Sequence, residues 1–460
     1  MKHVLLLFLM GSLLLVFVAC GGTSDSETAL SRSEQEESLM TDTNSVSSDV
    51  EVTPVDLTLK YDDRYTFPDA IEDVETVSVS SQQTGTDKPD DRVLRKKSNA
   101  DRNVGIAIGV GEAKVTLKSG QVYNVTVESA PLSVLLIIGQ SNGEGSTTGE
   151  PEVYNKARNQ SIVCEEGQVY STYGWSTVGH ATYVAGFSSK NPLTVQNADH
   201  FVARTLTTTS SRGGGTLEYP LNTLSSVGKG KTGFDSGLAW NWHELTGDKV
   251  WVVNCAAGST AIEVWQPGAV RYDNCVALMK QVRATLEEEI VAGHYTLNSF
   301  SAFWLQGESN KESTEAEYFA LLENMYANLK KDVLLAEEKP MDGMGIVMVR
   351  AFATTDPSVD TVDNGPRKAQ KAAISASDGV FADVYLACIE NDKWISNQAV
   401  AQYWEEAYPG NEYPFRIQTG TYKNPRTIAE VHNGVHYLQP GYNEIGIVAA
   451  RNAVAYLRGN

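Results

Sequence analysis

Five short apolar runs beyond residue 130 constrain the fold more than any other feature of the chain. They read SVLLIIG, KVWVVNC, SFSAFWLQG, GMGIVMVRA and DVYLACI; each is too short for a helix and nearly unbroken, as a strand covered on both faces should be. Helical candidates lie between them, at DSGLAWNWHELTG, residues 275–291, TEAEYFALLENMYANLKKDVLLAEE and PRKAQKAAISAS. This alternation predicts an α/β fold of three layers, with a five-stranded parallel sheet between helices.

The first twenty residues are typical of an export signal. A short basic start and an apolar run lead to the stretch VACG, which looks like a bacterial lipoprotein cleavage box in which Cys20 is lipidated. A plain cleaved signal peptide and an uncleaved anchor remain as alternatives. All three place the rest of the chain outside the cytoplasm, and the favoured one predicts a cell-surface or periplasmic lipoprotein anchored through Cys20.

Two further segments precede the apolar runs. Residues 21–50 are rich in Ser, Thr, Glu and Asp, so they bury too little apolar surface to offset the entropy of ordering and are predicted to form a disordered tether. Residues 51–129 show short period-two runs separated by Gly, Asp and Ser turns, which predicts a small all-β unit. Its closing stretch GVGEAKVTLKSGQVYNVTVE resembles the end of bacterial immunoglobulin-like domains. A spacer is favoured over a carbohydrate-contacting role for this unit.

Charge and cysteine content exclude several classes of ligand. The formal net charge of -20 argues against a nucleic-acid or anionic-membrane surface, so the only membrane contact expected is the lipid anchor. The cysteines form no CxxC or Cys/His cluster, and no metal is expected. Cys255 and Cys388 lie in apolar runs and are predicted to be buried, inert thiols. A disulfide between Cys255 and Cys275 is permitted by export and is not deducible from the sequence.

The first apolar run ends in an unusual way, at LLIIGQSNGEGS. A strand that only filled a core would finish in an ordinary turn, whereas this one presents Ser141 between Gln140 and Asn142. In parallel α/β sheets the ligand site lies off the carboxyl ends of the strands. That rule places Ser141 on one rim with the ends of the later runs, and it makes Ser141 a candidate nucleophile.

These blocks resemble the SGNH hydrolase superfamily, and within it the carbohydrate acetylesterases that include the sialate O-acetylesterases and the related acetylxylan esterases. The resemblance covers about residues 131–458 and implies a flavodoxin-like fold. It makes Ser141 of the GQSN block the nucleophile and its backbone N–H one oxyanion donor. Gly258 in AAGSTAIEVW would supply a second N–H, and Gln306 in WLQGESN a side-chain donor.

The last block, HNGVHYLQPGYNEIG, departs from the family pattern of Asp-x-x-His. Here the pair is Asn433 and His436, with His436 as the general base. Asn433 lacks the charge that stabilises an imidazolium, and the equivalent change in a serine protease costs about 10⁴-fold in rate. Glu308 is the favoured replacement acid, because it ends the adjoining strand on the same rim. Less favoured candidates are Glu430 and Asp383 as the acid and His432 as the base.

Further residues are candidates for contact with substrate. Gln140 and Asn142 flank the nucleophile, and Arg350 lies at the end of the fourth apolar run on the same rim. Arg367 and Gln370 in NGPRKAQKAA match the arginine and glutamine helix start common in these esterases. An exposed helix with surface ion pairs explains Arg367 and Gln370 equally well. Phe303, Trp304 and Tyr318 are expected to be core.

The long stretch at residues 143–233 is predicted to be a substrate-shaping insertion, since it has few helix signals and long irregular loops usually shape binding sites. Four of its aromatic residues are candidates either for stacking on sugar rings or for packing the loop against the domain. They are Tyr170, Tyr173, Trp175 and Tyr183.

These observations predict an exported serine esterase that removes O-acetyl groups from an acetylated carbohydrate without metal or organic cofactor. The absence of an Asp at Asn433 leaves an alternative, a carbohydrate-binding surface protein of the same fold with little or no turnover. A lipid or thioester hydrolase would need an apolar acyl groove, which the polar stretch at 143–233 does not suggest.

Overall fold

The computed structural model describes residues 53–81, 91–144, 146–147, 165, 167–173, 208–209, 216–217, 231–232, 234–349, 364–388, 415–416, 422–423 and 439–459. The described residues belong to one compact unit, Val52–Asn460. The predicted export signal at 1–20 and tether at 21–50 lie outside them. Within the described ranges, no helix has the length and apolarity that crossing a membrane requires.

The part of the chain before residue 130 consists of short strands. Strands β1 to β7 are Val55–Lys60, Arg64–Thr66, Ile71–Val79, Leu94–Lys96, Val104–Ala107, Gly111–Leu117 and Val122–Glu128. They form a four-stranded sheet of order β1-β7-β6-β3 and a three-stranded sheet of order β2-β5-β4. In β7 the residues alternate between buried and exposed, which is the period-two pattern of a strand with one covered face. The strands expected between 51 and 129 are therefore observed, but the immunoglobulin-like assignment is not confirmed.

The rest of the described chain alternates strands with helices. Strands β8 to β19 are Ala130–Gly139, Ser146–Thr147, Val169–Tyr173, Thr208–Thr209, Thr216–Leu217, Lys231–Thr232, Lys249–Asn254, Tyr295–Leu305, Gly343–Val347, Val384–Cys388, Phe415–Arg416 and Tyr422–Lys423. Helices α1 to α6 are Ser141–Glu144, Asp235–Thr246, Val270–Val291, Glu315–Asp332, Gly365–Ser375 and Gln439–Leu457. The result is the mixed α/β architecture that the alternation predicted.

The main sheet has six parallel strands in the order β10-β14-β8-β15-β16-β17, so the prediction of five strands is corrected. The five predicted strands keep the order 2-1-3-4-5 of flavodoxin-like sheets. The additional strand, β10, comes from the stretch at 143–233 and reads VYSTY. It lacks a continuous apolar run because an edge strand pairs on one side only, so the apolar pattern did not reveal it.

Helices cover both faces of this sheet. Along β8, Leu132, Val134 and Leu136 pack in one core cluster with residues of α3, α4 and α5. The alternate residues Leu135 and Ile137 pack in a second cluster with residues of α2 and α6. Because successive side chains of a strand point to opposite faces, these two clusters form the two sides of a three-layer α/β/α arrangement.

The helix boundaries follow from local sequence signals. Helix α4 begins with a capping box, in which the Thr314 side chain accepts from Glu317 N and the Glu317 side chain accepts from Thr314 N. Helix α5 begins with Asn364, whose side chain accepts from Arg367 N, and has Pro366 in its first turn. These caps hold the first turns of two helices that pack beside the carboxyl edge of the sheet.

Buried polar groups join the small β sheets to the main sheet. Lys249, whose side chain is 2% exposed, donates from Nζ to Asp63 Oδ1 at 2.8 Å and to Gly167 O at 2.6 Å. Tyr170 donates from its hydroxyl to Asp62 Oδ2 at 2.6 Å. The ring of Tyr61 stacks on His294, with centroids 4.1 Å apart. The strands before residue 130 are therefore held to the main sheet by specific contacts, which a free spacer would lack.

Two sequence expectations are settled by burial. Tyr170 is buried in this contact, so it packs within the fold, and its alternative as a sugar-stacking residue is wrong. The side chains of Tyr173, Trp175 and Tyr183 lie outside the described residues. Cys255, Cys275 and Cys388 are buried, and no disulfide joins Cys255 to Cys275. A hydrogen bond with Cys275, together with burial, raises the pKa of Cys255, so this thiol stays protonated and unreactive.

Candidate active site

The candidate site lies at the carboxyl edge of the main sheet, where three neighbouring strands end. Strand β8 leads into Ser141, β14 leads into the loop of Gly258, and β15 leads into Gln306 and Glu308. Because these strands are parallel and adjacent, their carboxyl ends meet at one edge. The sequence blocks that were predicted to share a rim are therefore together in the structure.

A glycine sets the direction of the chain before Ser141. Gly139 has φ of 130°, and a Cβ added there would lie 2.0 Å from Leu305 O. Only glycine adopts this backbone so close to the neighbouring strand. Gln140 N donates to Leu305 O at 2.9 Å, which continues the contact between the two strands past the turn. Ser141 then begins helix α1 as a partly exposed residue between buried Gln140 and Asn142.

Asn142 links the nucleophile segment to Glu308. Its Nδ2 donates to Glu308 Oε1 at 2.6 Å, and its Oδ1 accepts from the Tyr442 hydroxyl at 2.8 Å. Asn142 is fully buried, and Glu308 is 7% exposed. Glu308, the predicted acid, is thus hydrogen-bonded to the residue that directly follows Ser141, the predicted nucleophile. In this arrangement Asn142 positions Glu308, while its contact with substrate stays a prediction.

Gln306 is the centre of a buried hydrogen-bond network. Its Nε2 lies 2.7 Å from Asn310 Oδ1, 3.0 Å from Thr260 O and 3.2 Å from Gln140 Oε1. Three acceptors surround a group that has only two hydrogens, so the donors of Gln306 are committed to protein oxygens. To donate to an oxyanion, the Gln306 side chain must first give up one of these hydrogen bonds. Its role in an oxyanion hole stays a prediction.

Tyr318 closes this network from helix α4. Its hydroxyl donates to Gln306 Oε1 at 2.6 Å and accepts from Trp304 Nε1 at 3.2 Å. Burial raises the pKa of Tyr318 well above its usual value of 10, so the hydroxyl stays protonated. Tyr318, Phe303 and Trp304 are buried as predicted. Tyr318 additionally fixes the orientation of the Gln306 amide, which a purely apolar core residue would not do.

Asn310 joins the third loop to the second. Its Oδ1 accepts from Ile262 N at 2.8 Å, and its Nδ2 donates to the Glu263 carboxylate at 3.0 Å. The loop after β14 is also tied to the end of β8, since Ala257 N donates to Gly139 O at 3.0 Å. These bonds fix the three loops to one another before any substrate is present.

The backbone N–H of Gly258 has a hydrogen-bond partner, Glu144, that the sequence did not predict. Its N–H donates to Glu144 Oε2 at 2.5 Å, and Glu144 is 8% exposed. A Cβ added to Gly258 would lie 2.9 Å from Glu144 Oε2 and 3.7 Å from Ser141 Cβ. The amide that the family resemblance makes an oxyanion donor is therefore close to Ser141 and is hydrogen-bonded to a carboxylate.

A cation lies near this carboxylate. Burial lowers the pKa of Arg271, and the charge of Glu144 acts in the opposite direction. Arg271 belongs to the first turn of α3, which follows the Gly258 loop. The negative charge of Glu144 beside Gly258 is thus partly balanced from α3.

Arg367 and Gln370 are buried, so the alternative of an exposed helix with surface ion pairs is wrong for them. Arg367 donates from a guanidinium nitrogen to Val349 O at 2.8 Å. Gln370 donates from Nε2 to Gln306 O at 2.7 Å and accepts from Val349 N at 2.8 Å. Both residues therefore support the ends of β15 and β16, and direct substrate contact by them stays a prediction.

Six of the predicted residues lie in ranges that the structure does not describe. His436, Asn433 and Arg350 lie outside the described residues, as do Cys20, Glu430 and His432. Asp383 precedes β17, at the opposite edge of the sheet, and pairs with Lys330 at 3.2 Å. The alternative in which Asp383 replaces the missing family Asp is therefore corrected. Over the ranges that the structure describes, no group of three or more His, Cys, Asp or Glu side chains is arranged to hold a metal ion.

The sequence reasoning missed three residues of the site, which are Glu144, Asn310 and Tyr442. Glu144 and Asn310 stand within the quoted blocks GQSNGEGS and QGESN, so their neighbourhood was a signal. Tyr442 stands within the block HNGVHYLQPGYNEIG, at the start of α6, but 300 positions separate it from Asn142 and nothing in the block indicated that contact. All three act on residues that the blocks did identify.

Part of the chain is similar to a known family of enzymes. Residues 191–380 match the family described as carbohydrate esterase, sialic acid-specific acetylesterase. This range includes Gly258, Gln306 and Glu308, whereas Ser141 and His436 lie outside it. A search of curated proteins gave no significant match. The match favours the esterase prediction and does not favour the alternative of a binding protein.

Solved structures show distant likeness. A protein from Arabidopsis thaliana is 11% identical with a TM-score of 0.36, covering 71% of this chain and 98% of that one. A carbohydrate acetylesterase from Xanthomonas citri is 14% identical with a TM-score of 0.32, covering 79% of this chain and 77% of that one. NanS is 11% identical with a TM-score of 0.36, covering 72% and 98%. TM-scores this low are no basis for assigning a function.

The resemblance to the sialate O-acetylesterases, which the sequence blocks indicated, is confirmed by the family match. Gly258, Gln306 and Glu308 stand in the matched range and lie together at the carboxyl edge of the sheet. Residues 191–380 of the chain are therefore similar to the sialic acid-specific acetylesterase family of carbohydrate esterases.

Proposed function

We propose that this protein is a serine esterase that removes O-acetyl groups from carbohydrates. The observation that carries the proposal is the meeting of Ser141, Gly258 and the Gln306–Glu308 segment at the ends of three adjacent parallel strands. The family match at 191–380 supports the same reaction class. The partner is an acetylated carbohydrate, and the chemistry needs no metal or organic cofactor.

In the proposed reaction the Ser141 hydroxyl attacks the carbonyl carbon of the acetyl ester. His436 takes the hydroxyl proton, and the carbonyl oxygen becomes an oxyanion held by backbone N–H groups of Ser141 and Gly258. Collapse of the tetrahedral intermediate breaks the bond to the sugar oxygen, which receives the proton from His436. Water activated by the same imidazole then attacks the acetyl-Ser141 ester and releases acetate.

The acid that supports His436 is the least conventional part of the proposal. Glu308 is the candidate, since it is nearly buried and tied to Asn142 beside the nucleophile. Asn433 supplies a neutral hydrogen-bond acceptor at the family's Asp position. Gln140, Arg350, Arg367 and Gln370 are proposed to shape the sugar site, either directly or through the loops they hold.

We propose that the enzyme acts outside the cytoplasm as a lipoprotein anchored through Cys20. This location suits a glycan or polysaccharide substrate too large to enter the cell. Metabolic labelling with a radioactive or alkyne fatty acid tests the anchor. Label that disappears in Cys20→Ala supports it, and equal label in both proteins contradicts it.

The test of the activity is acetate release from acetylated sialoglycans, acetylated xylan and pectin. We expect release by the parent protein and loss of release in Ser141→Ala. Asn433→Asp restores the family acid, so it should leave the rate unchanged or raise it, whereas Glu308→Gln should lower it. Equal background release by the parent and Ser141→Ala would refute the esterase proposal.

A further inference from the structure

The hydrogen bond between Glu144 and Gly258 is not used by the proposed reaction. Gly258 N lies 2.5 Å from Glu144 Oε2, so the amide donates its hydrogen to an acidic side chain. A backbone amide has one hydrogen, so it serves one strong acceptor at a time. While Glu144 accepts this hydrogen, Gly258 is not available to an oxyanion on the substrate.

The position of Glu144 is set by the same turn that positions the nucleophile. Glu144 ends helix α1, three residues after Ser141, and its N–H donates to Gln140 O at 2.9 Å. Its carboxylate lies at Gly258, where an added Cβ would also be within 3.7 Å of Ser141 Cβ. The carboxylate thus presents an anionic oxygen to the predicted oxyanion donor, beside the predicted nucleophile.

A carboxylate oxygen and the oxygen of a tetrahedral intermediate are chemically alike at this point. Each is an anionic acceptor for a backbone N–H, and a donor of this kind contributes to rate only if it is free to bind the developing charge. The carboxylate charge, which Arg271 balances only in part, also repels the oxyanion. The contact therefore opposes the reaction for as long as it persists.

We propose that Glu144 is an internal occupant of the oxyanion position, which holds the Gly258 amide between turnovers and must leave it when the tetrahedral intermediate forms. Glu144 is a positioning residue in this proposal, because it acts through Gly258. The inference deepens the proposed function and rests on it for its catalytic consequence. Its binding consequence, competition with small carboxylates for the Gly258 amide, can be measured without turnover.

Glu144→Gln separates these effects, since it keeps the size of the side chain and removes its charge. The neutral amide is a weaker acceptor and does not repel an anion, so acetate should replace it more easily. We expect acetate to bind the variant about tenfold more tightly than the parent. We also expect kcat to rise about fivefold with KM little changed, because the competition acts on the transition state and not on the bound ester.

The experiment uses the full chain and sodium acetate as the probe. The unfolding temperature is followed against acetate concentration, with sodium chloride at equal ionic strength as reference. Glu323→Gln makes the same change of charge on the exposed side of α4 and should behave like the parent. A steeper acetate dependence in Glu144→Gln alone supports the proposal. Acetate binding that is unchanged or weaker in a folded Glu144→Gln overturns it.

The kinetic arm distinguishes this inference from the proposed function. If the parent releases no acetate above the Ser141→Ala background, the esterase proposal fails, while the acetate-binding comparison still decides whether Glu144 occupies the amide. If the parent is active and Glu144→Gln loses kcat with an unchanged unfolding temperature, Glu144 assists the reaction and the proposed competition is refuted.

Discussion

Asn142 Nδ2 donates to Glu308 Oε1 at 2.6 Å, so the residue after the predicted nucleophile holds the predicted acid, which follows the adjoining strand β15. The same Asn142 side chain accepts from the hydroxyl of Tyr442 on helix α6. One buried amide therefore connects two strand ends with a helix from the other end of the chain.

Asn142→Ala should lower both stability and activity. Removing the amide takes a hydrogen-bond partner from buried Glu308 and from the Tyr442 hydroxyl, which costs about 1–3 kcal/mol in the free energy of unfolding. Activity should fall at least tenfold because Glu308 loses its position. Urea unfolding and acetate release measure the two effects. Asn328→Ala, which removes an exposed amide on α4, is the control and should change neither. A stability loss no greater than that of the control would contradict the prediction.

Gly139→Ala should destabilise the protein strongly. A Cβ at Gly139 would lie 2.0 Å from Leu305 O, and φ is 130°, so the substitution meets both a clash and an unfavourable backbone. Gly120 also has a positive φ, of 87°, but nothing lies within 4 Å of an added Cβ. Gly120→Ala should cost about 1 kcal/mol, and Gly139→Ala should cost more than twice that. Equal unfolding temperatures for the two variants would contradict the prediction, because they would mean that the end of β8 moves away from Leu305 O without cost.

The sequence predicted those parts of the molecule that depend on local apolar pattern. Five nearly unbroken apolar runs indicated five of the six parallel strands of the main sheet. The edge strand β10 was missed because its sequence, VYSTY, has the mixed polarity that one-sided pairing permits. The same reasoning located Ser141, Gly258 and Gln306 at strand ends, since that prediction needs only the end of each run.

Contacts between loops were beyond this kind of reasoning. Gln306 was expected to face a substrate oxyanion, but its amide is surrounded by Gln140, Thr260 and Asn310 from three different loops. Glu144 stands in the quoted block, yet its partner Gly258 is 114 positions away. Long-range pairs of this type depend on the three-dimensional arrangement of loops, which residue spacing does not encode.

Lys249→Met should destabilise the junction between the small β sheets and the main sheet, with a characteristic pH dependence. The variant leaves Asp63, Gly167 O and Gln168 without the buried ammonium. Loss of one partner of a buried pair costs about 3–5 kcal/mol, and the lower end applies because the Asp63 side chain is 22% exposed. Lys60→Met removes an exposed pair with Glu128 and should cost less than about 1 kcal/mol.

The acid dependence of this pair follows from Asp63. Burial raises the pKa of Asp63, but the charge and hydrogen bonds of Lys249 outweigh it, and the net pKa lies below 3.8. A carboxyl with a lowered pKa contributes stability above its unfolded pKa, and this is lost as pH falls through the folded pKa. The stability difference between the parent and Lys249→Met should therefore persist at pH 5 and shrink below about pH 4. Urea unfolding across this range measures it, and a difference that shrinks already at pH 6 would contradict the assignment to Asp63.

Tyr318→Phe tests whether the network around Gln306 stabilises the fold as well as the site. The variant removes the hydroxyl that donates to Gln306 Oε1 and accepts from Trp304 Nε1, so two buried polar atoms lose a partner, at about 1–3 kcal/mol. Tyr65→Phe, at a partly exposed tyrosine on β2, is the control. Because burial raises the folded pKa of Tyr318, the stability it contributes is fully present below the unfolded pKa of about 10 and declines as pH rises beyond it. The difference in unfolding free energy between the parent and Tyr318→Phe should therefore be constant from pH 6 to 9 and smaller at pH 11. A difference that is absent at pH 7, or that grows above pH 10, would mean that the hydroxyl does not hold the Gln306 amide.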